Sequence, residues 1–137
     1  MVMKISEAMK PCPYTISADT SIEEAIDTME LRQIRRVPVV ENGELIGILH
    51  LKDAQLCKMA FGHVEESPSV GDICVKDPVL VMEDTPVAKV AKIMSDEKVE
   101  EVLVANEQGD LSGIFTVTDA CKLIQLILND LEQDSAS

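Results

Sequence analysis

Apolar residues recur with a helical period in two stretches of the chain, and they form short extended runs in the segments around those stretches. In residues 22–29 and 87–94 the apolar positions follow i, i+3, i+4 and i+7 spacing, which predicts amphipathic helices that each bury one stripe. A short extended segment precedes each helix, at residues 14–17 and 79–82. Each half of the chain is therefore predicted to begin with a strand followed by a helix.

Signals for helix starts and for turns extend this pattern. Thr20-x-x-Glu23 is a capping box, and in the second half Thr85 precedes Pro86 at the first helical position. Each helix is followed by two β-branched runs joined by a glycine-bearing turn, which predicts hairpins at residues 36–49 and 101–115. A second helix closes each half, at residues 51–61 and 117–131, with a linker at residues 62–68 and a polar tail after the last helix.

The two halves are also similar residue by residue. A shift of 65 places Met29 on Met94, and after one extra residue near Gln108 a shift of 66 places Asp53 on Asp119. The chain is predicted to hold two β-α-β-β-α repeats, residues 1–65 with the linker and residues 66–137. One repeat of this size buries too little surface to be stable alone, so we expect the two to share a core.

Composition limits the function classes. The 137 residues carry 12 basic and 25 acidic side chains, a net charge of −13, which disfavours binding to nucleic acid and to anionic membranes. The aromatic residues, Tyr14, Phe61 and Phe115, are too few to stack on single strands. No apolar run reaches the length of a membrane span, and the N-terminus shows no signal peptide, so we expect a cytoplasmic protein without membrane insertion.

Catalytic and metal-binding patterns are not found in the sequence. The four cysteines form no C-x-x-C pair, and His50 and His63 have no metal-ligand spacing. We find no nucleophile with a matching base and no phosphate-binding glycine loop, so we expect that the chain is not an enzyme and requires no cofactor. His63, in the linker, is interpreted as a solvated side chain.

The order of elements and three segments resemble the cystathionine-β-synthase (CBS) domain. These segments are the Arg36-Val-Pro-Val-Val40 strand, Gly47 to Asp53, and Gly113 to Asp119. The resemblance covers nearly the whole chain as a tandem pair, also called a Bateman module. It implies a mixed α/β (α+β) fold in which two units pack through their sheets about a pseudo-twofold axis, with two clefts that bind adenosine-containing ligands.

The resemblance also implies a ribose-holding motif of glycine, two apolar residues, Thr or Ser, two further residues and Asp. Gly113, Thr116 and Asp119 match it, while the first repeat has Asp53 but carries His50 in place of the hydroxyl residue. A glycine allows close approach to a ligand, and an Asp carboxylate at a helix start accepts hydrogen bonds from ribose hydroxyls. The alternative for each Asp is simple stabilisation of its helix start, and for His50 a hydrogen-bonded strand end.

Phosphate binding is expected to differ between the repeats. Before the central strand the first repeat has Arg35 and Arg36, which suit phosphate oxygens, whereas the second has Glu100-Glu101. A carboxylate about 5 Å from a phosphate costs on the order of 3 kcal/mol. The second repeat is therefore expected to prefer adenosine, a monophosphate held elsewhere or S-adenosylmethionine, unless Mg²⁺ bridges the charges. The alternative is that these residues are solvated strand ends.

The remaining candidate ligand contacts follow by matching positions to the family. The walls of the adenine slot are predicted to come from three residues in each repeat, for which packing in the core is the alternative, and Thr118 adds a hydroxyl beside Asp119. The six wall residues are Met9, Tyr14 and Ile34 in the first repeat and Cys74, Val79 and Val99 in the second.

The last helix places apolar residues over an arc of roughly 220°, which one neighbour cannot cover, so we expect a homodimer or a larger assembly. Two functions are open. One is a regulatory module that binds AMP, ADP, ATP or S-adenosylmethionine and signals to a separate, unidentified protein. The other is a structural adapter whose ligand sites have degenerated and whose role is dimerisation.

Overall fold

The computed structural model describes residues 2–12, 14–62 and 65–136, which form two four-stranded sheets with helices packed against them. The predicted mixed α+β class is confirmed. His63 of the predicted linker lies outside the described residues. In chain order the elements are a 3-10 turn (Ile5–Glu7), β1 (Lys10–Pro11), β2 (Ile16–Ser17), α1 (Ile22–Arg32), β3 (Arg36–Glu41), β4 (Glu44–His50), α2 (Leu51–Phe61), α3 (Val70–Ile73), β5 (Val75–Lys76), β6 (Leu80–Met82), α4 (Val87–Glu97), β7 (Glu101–Ala105), β8 (Leu111–Thr116) and α5 (Val117–Ala136).

The chain forms two compact units, residues 14–78 and residues 1–13 with 79–137. In the unit of residues 14–78 the strand order is β2-β3-β4-β5, and in the other unit it is β1-β8-β7-β6. The strand before each helix pairs parallel with the strand after it, and the other pairings are antiparallel. Each unit is thus the predicted repeat with one additional edge strand.

These edge strands change the boundaries of the units. β1 precedes the first repeat in the chain but pairs with β8, and β5 precedes the second repeat but pairs with β4. The compact units therefore differ from the repeats of residues 1–65 and 66–137, because residues 1–13 join the second repeat and residues 66–78 join the first. The sequence pattern did not predict β1 or β5, each of which pairs with a strand distant in the chain.

The N-cap of the first helix lies one residue later in the chain than predicted. Ser21, rather than Thr20, is the N-cap of α1, and its hydroxyl accepts a hydrogen bond of 3.1 Å from the backbone N–H of Glu24. At the other end Gln33 takes the left-handed conformation that closes many helices. The predicted apolar stripe is confirmed, because Ile22, Ala25, Ile26 and Met29 are all buried.

Local geometry repeats between the two units. α4 has the same length as α1, 11 residues, and its C-cap Lys98 has a φ of 56°, close to the 55° of Gln33, the C-cap of α1. Each hairpin carries a register shift at the same place, between Val39 and Val40 and between Val104 and Ala105. Shared irregularities of this kind are expected of duplicated units, because each depends on local backbone conformation.

Each unit has its own apolar core. In residues 14–78 the fully buried side chains include Met29, Val39 and Leu49. In the other unit Phe115, at 0% exposure, is packed with Ile5 and Val90. Ile5 comes from the 3-10 turn near the N-terminus, so this segment contributes to the core of the second repeat.

The last helix differs from its predicted extent. α5 runs through residues 133–136, which were expected to belong to a polar tail over residues 133–137. None of the helices in the described residues is both long and apolar enough to cross a bilayer.

Candidate ligand-binding site

A hydrogen-bonded pair of side chains lies at the junction of β8 and α5. The Asp119 carboxylate oxygen Oδ2 accepts hydrogen bonds of 3.0 Å from both the backbone N–H and the hydroxyl of Thr116. The Asp119 backbone N–H in turn donates to Thr116 Oγ1 at 3.2 Å. Both residues are buried, so this ring of hydrogen bonds fixes the carboxylate in one orientation at the start of the helix.

A lysine from the N-terminal edge strand completes the contacts of this carboxylate. Lys10 Nζ lies 3.0 Å from Asp119 Oδ1, the oxygen that Thr116 does not use. The pairing of β1 with β8 carries it there, since Lys10 lies opposite Ile114. Sequence reasoning missed Lys10, because the residue lies in the other repeat and only the unpredicted β1 brings it to Asp119.

These contacts shift the pKa of Asp119. Burial alone raises the pKa, but the hydrogen bonds from Lys10 and from the Thr116 N–H and hydroxyl together outweigh it, so the pKa lies below its ordinary value. Asp119 is therefore a carboxylate, an acceptor of hydrogen bonds, at any pH near neutrality.

The lowered pKa predicts a pH dependence of stability. The ionised Asp119 stabilises the fold above the ordinary Asp pKa of about 3.9, and this contribution is lost as the pH falls through the lower pKa of the folded state. In Asp119→Asn the amide oxygen can still accept from Thr116 but does not titrate. Urea unfolding of both proteins from neutral to acid pH should show their difference in stability shrinking only in acid. A difference that stays constant over this range would contradict the assignment.

Atoms of the protein itself lie close to both motif glycines. A Cβ at Gly113 would overlap the Met9 sulfur and lie 2.9 Å from the Lys10 carbonyl oxygen. A Cβ at Gly47 would overlap the Val75 carbonyl oxygen and lie 2.8 Å from Cys74 Sγ. The close approach predicted for a ligand is therefore made by the edge strands β1 and β5, and in each unit a sulfur-bearing side chain covers the glycine.

The equivalent junction in residues 14–78 has different chemistry. His50 precedes α2 and makes no side-chain hydrogen bond to the helix start, and its Nδ1 lies 3.7 Å from Asp53 Oδ2. The Asp53 side chain is 47% exposed, against 6% for Asp119. The position that matches Lys10 is Val75, which lies opposite Ile48. This junction is more open and has no acidic group buried as deeply as Asp119.

The residues beside the strand-to-helix junction are basic in one unit and acidic in the other. Arg36 lies opposite His50 in the hairpin register, and Glu101 lies opposite Thr116. The preceding residues also correspond, because the Arg35 carbonyl accepts from Leu51 N–H and the Glu100 carbonyl accepts from Val117 N–H. Glu101 is buried, and Arg35 is exposed. The predicted contrast in charge between the repeats is thus located at matching positions of the two units.

The six predicted wall residues are grouped differently in the structure. Met9, Val79 and Val99 are partly buried against the core of the unit that holds Asp119. Cys74 belongs to the core of residues 14–78 and Ile34 packs against it, while Tyr14 is exposed, with the Arg32 guanidinium 4.0 Å from the ring centroid. Met9 and Cys74 have therefore exchanged units, and Thr118 is exposed on the first turn of α5.

A metal centre finds no support in the described residues. Within residues 2–12, 14–62 and 65–136 no group of three or more His, Cys, Asp or Glu side chains could hold an ion. Two of the four cysteines, Cys57 and Cys74, are buried.

Comparison with known proteins identifies the family. The family model for the CBS domain matches residues 5–55 and 70–126, so the chain belongs to the CBS domain family and carries the domain twice. The tandem CBS pair that the sequence resembles is confirmed. Each matched segment spans one hairpin and ends within the helix that follows it.

Two solved structures and one curated relative illustrate the similarity. The CBS domain pair of protein MJ0100, in complex with 5′-methylthioadenosine and S-adenosylmethionine, has a TM-score of 0.75 at 25% identity, covering 91% of this chain and 98% of that one. CBSX2 in complex with AMP has a TM-score of 0.71 at 19% identity, covering 90% and 97%. An inosine-5′-monophosphate dehydrogenase of Thermoplasma acidophilum is 30% identical over 77% of this chain. The match spans 20% of the dehydrogenase, so most of that enzyme has no counterpart here.

Proposed function

We propose that the chain is a regulatory CBS pair that binds an adenosine-containing ligand through the Asp119 carboxylate. The observation that carries this proposal is a buried, ionised carboxylate held by Thr116 at the start of a helix. The carboxylate keeps its orientation, and it accepts hydrogen bonds from both ribose hydroxyls once the Lys10 ammonium leaves Oδ1. A hydrogen bond to a charged group of this kind contributes about 1.5–3 kcal/mol.

The similar structures support an adenosine-containing ligand. The MJ0100 pair, at 25% identity over nearly the whole of both chains, binds 5′-methylthioadenosine and S-adenosylmethionine. CBSX2, which shares the fold, binds AMP. The common part of these molecules is adenosine, and the part that differs is the substituent at the 5′ position. We therefore propose that this chain, like these two proteins, recognises the adenosine part of its ligand.

The two units are proposed to differ in the ligands they prefer. Arg35, Arg36 and His50 beside Asp53 suit a ligand with several phosphates, such as ATP or ADP, with or without Mg²⁺. Glu100 and Glu101 beside Asp119 disfavour a polyphosphate. The Asp119 unit is accordingly assigned the less charged ligands, and S-adenosylmethionine or AMP are the main candidates.

A ligand panel tests the proposal. We expect AMP, ATP, 5′-methylthioadenosine or S-adenosylmethionine to raise the melting temperature of the chain in a thermal-shift experiment, with and without Mg²⁺. A ligand at 100 times its Kd adds about 2.7 kcal/mol to the free energy of unfolding. Guanosine and its monophosphate serve as controls with the same ribose. If none of the adenosine compounds produces a shift, the adapter function replaces the regulatory one.

We propose signalling to a separate partner protein in the cytoplasm as the output, rather than catalysis. Both matched segments of the chain belong to the CBS domain family, and the match to the dehydrogenase covers 20% of that enzyme. The strong negative charge of the chain favours a basic surface on such a partner.

The apolar surface on the helices of the Asp119 unit supports a homodimer as the functional state. An apolar groove of about 420 Å³ lies between α4 and α5 and includes Met3, Val87, Phe115 and Ile127. On the same helix α5, Leu126, Leu128 and Leu131 are between 50% and 63% exposed. Exposed apolar surface of this extent is uncommon on a monomer, and a second copy of the chain presents the same surface to cover it. This surface is also the observation that favours the adapter alternative.

Ile127→Glu is predicted to dissociate the dimer, because it places a charge in the apolar groove. Gln125→Glu, on the same helix, adds the same charge at a position that does not line the groove and should leave the dimer intact. Sedimentation velocity at micromolar concentration measures both. A wild-type chain that sediments as a monomer, or an Ile127→Glu variant that remains dimeric, would contradict the assignment of this surface.

A further inference from the structure

Lys10 occupies an acceptor position on the Asp119 carboxylate that a ribose requires. A carboxylate offers about four lone-pair positions, two on each oxygen. Thr116 fills both positions on Oδ2 with its N–H and its hydroxyl, and the Lys10 ammonium takes one on Oδ1. One position remains, whereas a ribose presents two hydroxyl donors. Binding of both hydroxyls therefore displaces the ammonium from Asp119.

The ammonium can move because the lysine lies at the surface. The Lys10 side chain is 58% exposed, against 6% for the carboxylate that it contacts. Its backbone is held on β1 opposite Ile114, so the rotation of a long flexible side chain is sufficient and the strand stays in place. Once displaced, the ammonium stays near the ribose, because its strand remains paired with β8.

We propose that Lys10 acts as a charge selector for the Asp119 site: it pairs with the carboxylate in the empty site, and when a nucleoside binds it transfers to an anionic 5′ substituent. A ligand with a 5′-monophosphate regains the ion pair that the ribose breaks, and a neutral nucleoside does not. Beside two glutamates, this ammonium makes a single phosphate acceptable. The inference rests on the proposed binding of an adenosine compound at Asp119.

The other unit offers an internal contrast. Its position equivalent to Lys10 is Val75, and Lys76, the lysine of that edge strand, donates to the Gly71 carbonyl. The Asp53 carboxylate lies 3.7 Å from His50 Nδ1 and is 47% exposed. The selector is therefore a property of the second site alone. It assigns the two sites different ligand classes by a residue that lies outside the ribose motif.

Calorimetric titration with adenosine and with AMP tests the selector. The titrations use an Asp53→Ala background, which replaces a half-exposed side chain, so that the signal reports the Asp119 unit. Lys10→Met keeps the length of the side chain and removes the charge. Lys92→Met is the matched control, since it removes one ammonium from the same unit at an exposed pair with Asp96 on α4.

With Lys10 intact, AMP is expected to bind more tightly than adenosine. Lys10→Met should weaken AMP about tenfold and strengthen adenosine a few-fold, because the carboxylate is freed while the phosphate loses its partner. Lys92→Met should change neither. If Lys10→Met leaves the ratio of the AMP and adenosine affinities unchanged, including by weakening both equally, the selector is overturned and the proposed site stays intact. If Asp119→Ala in the same background leaves AMP binding unchanged, the proposed site and the selector fall together.

Discussion

Asp119→Asn should abolish most of the stabilisation that an adenosine ligand confers. The amide keeps the acceptor for Thr116 but loses the negative charge that strengthens hydrogen bonds from the ribose. If this weakens binding about 100-fold, a ligand concentration that adds about 2.7 kcal/mol to the wild type adds only about 0.4 kcal/mol to the variant. Urea unfolding with and without AMP or S-adenosylmethionine measures both values.

Asp53→Asn is the matched control for this experiment. It makes the same chemical change at the equivalent helix start of the other unit, where the side chain is more exposed. A ligand held by the Asp119 unit should stabilise Asp53→Asn as strongly as the wild type. Full stabilisation of Asp119→Asn together with loss in Asp53→Asn would move the ligand to the first repeat.

Gly47→Ala should destabilise the fold by about 3 kcal/mol, and Gly113→Ala by less. Any Cβ at Gly47 overlaps the carbonyl oxygen of Val75, a backbone atom that can move only if β5 separates from β4. At Gly113 the first obstacle is the Met9 thioether, which can rotate away, although the Lys10 carbonyl still lies at 2.9 Å. Overpacking of this kind costs about 1–3 kcal/mol, and the rigid neighbour gives the larger cost.

Chemical denaturation of the two alanine variants measures this order. Gly113→Ala in a Met9→Ala background separates the two obstacles, since the sulfur is then removed and the backbone contact remains. The order would be wrong if Gly113→Ala were the more damaging, which would mean that β1 is held more rigidly against β8 than β5 against β4. Neutral effects at both positions would remove the reason given for glycine in the motif.

The sequence predicted the elements that have a period. α1 buries all four residues of its i, i+3, i+4, i+7 stripe, and α4 buries Val90 and Met94 of its own. The hairpins follow from β-branched runs around turns that contain Gly43 and Gly109, both at positive φ. The cap of α1 was placed one residue early, because Thr20 and Ser21 are both good caps and only the backbone conformation selects between them. β1 and β5 were missed because each forms by pairing with a strand of the other repeat.

The candidate site was predicted only in part, because the sequence pattern indicates contacts between neighbouring residues but not contacts between distant parts of the chain. Thr116 and Asp119 are three residues apart, and a helix start brings such neighbours together whatever the rest of the fold does. Lys10 reaches Asp119 only through the pairing of β1 with β8, a contact between distant parts of the chain. The exchange of Met9 and Cys74 between units has the same cause, since each residue precedes an edge strand that pairs with the other repeat.

The most direct test of the central claim is a comparison of AMP with 2′-deoxy-AMP and 3′-deoxy-AMP on the wild type and on Asp119→Asn. If the Asp119 carboxylate accepts from the ribose hydroxyls, removing either hydroxyl weakens binding to the wild type by about tenfold or more, an effect of about 1.5 kcal/mol. The same removal should then have little effect on the variant. Equal losses of affinity in both proteins would show that the ribose is not held by Asp119.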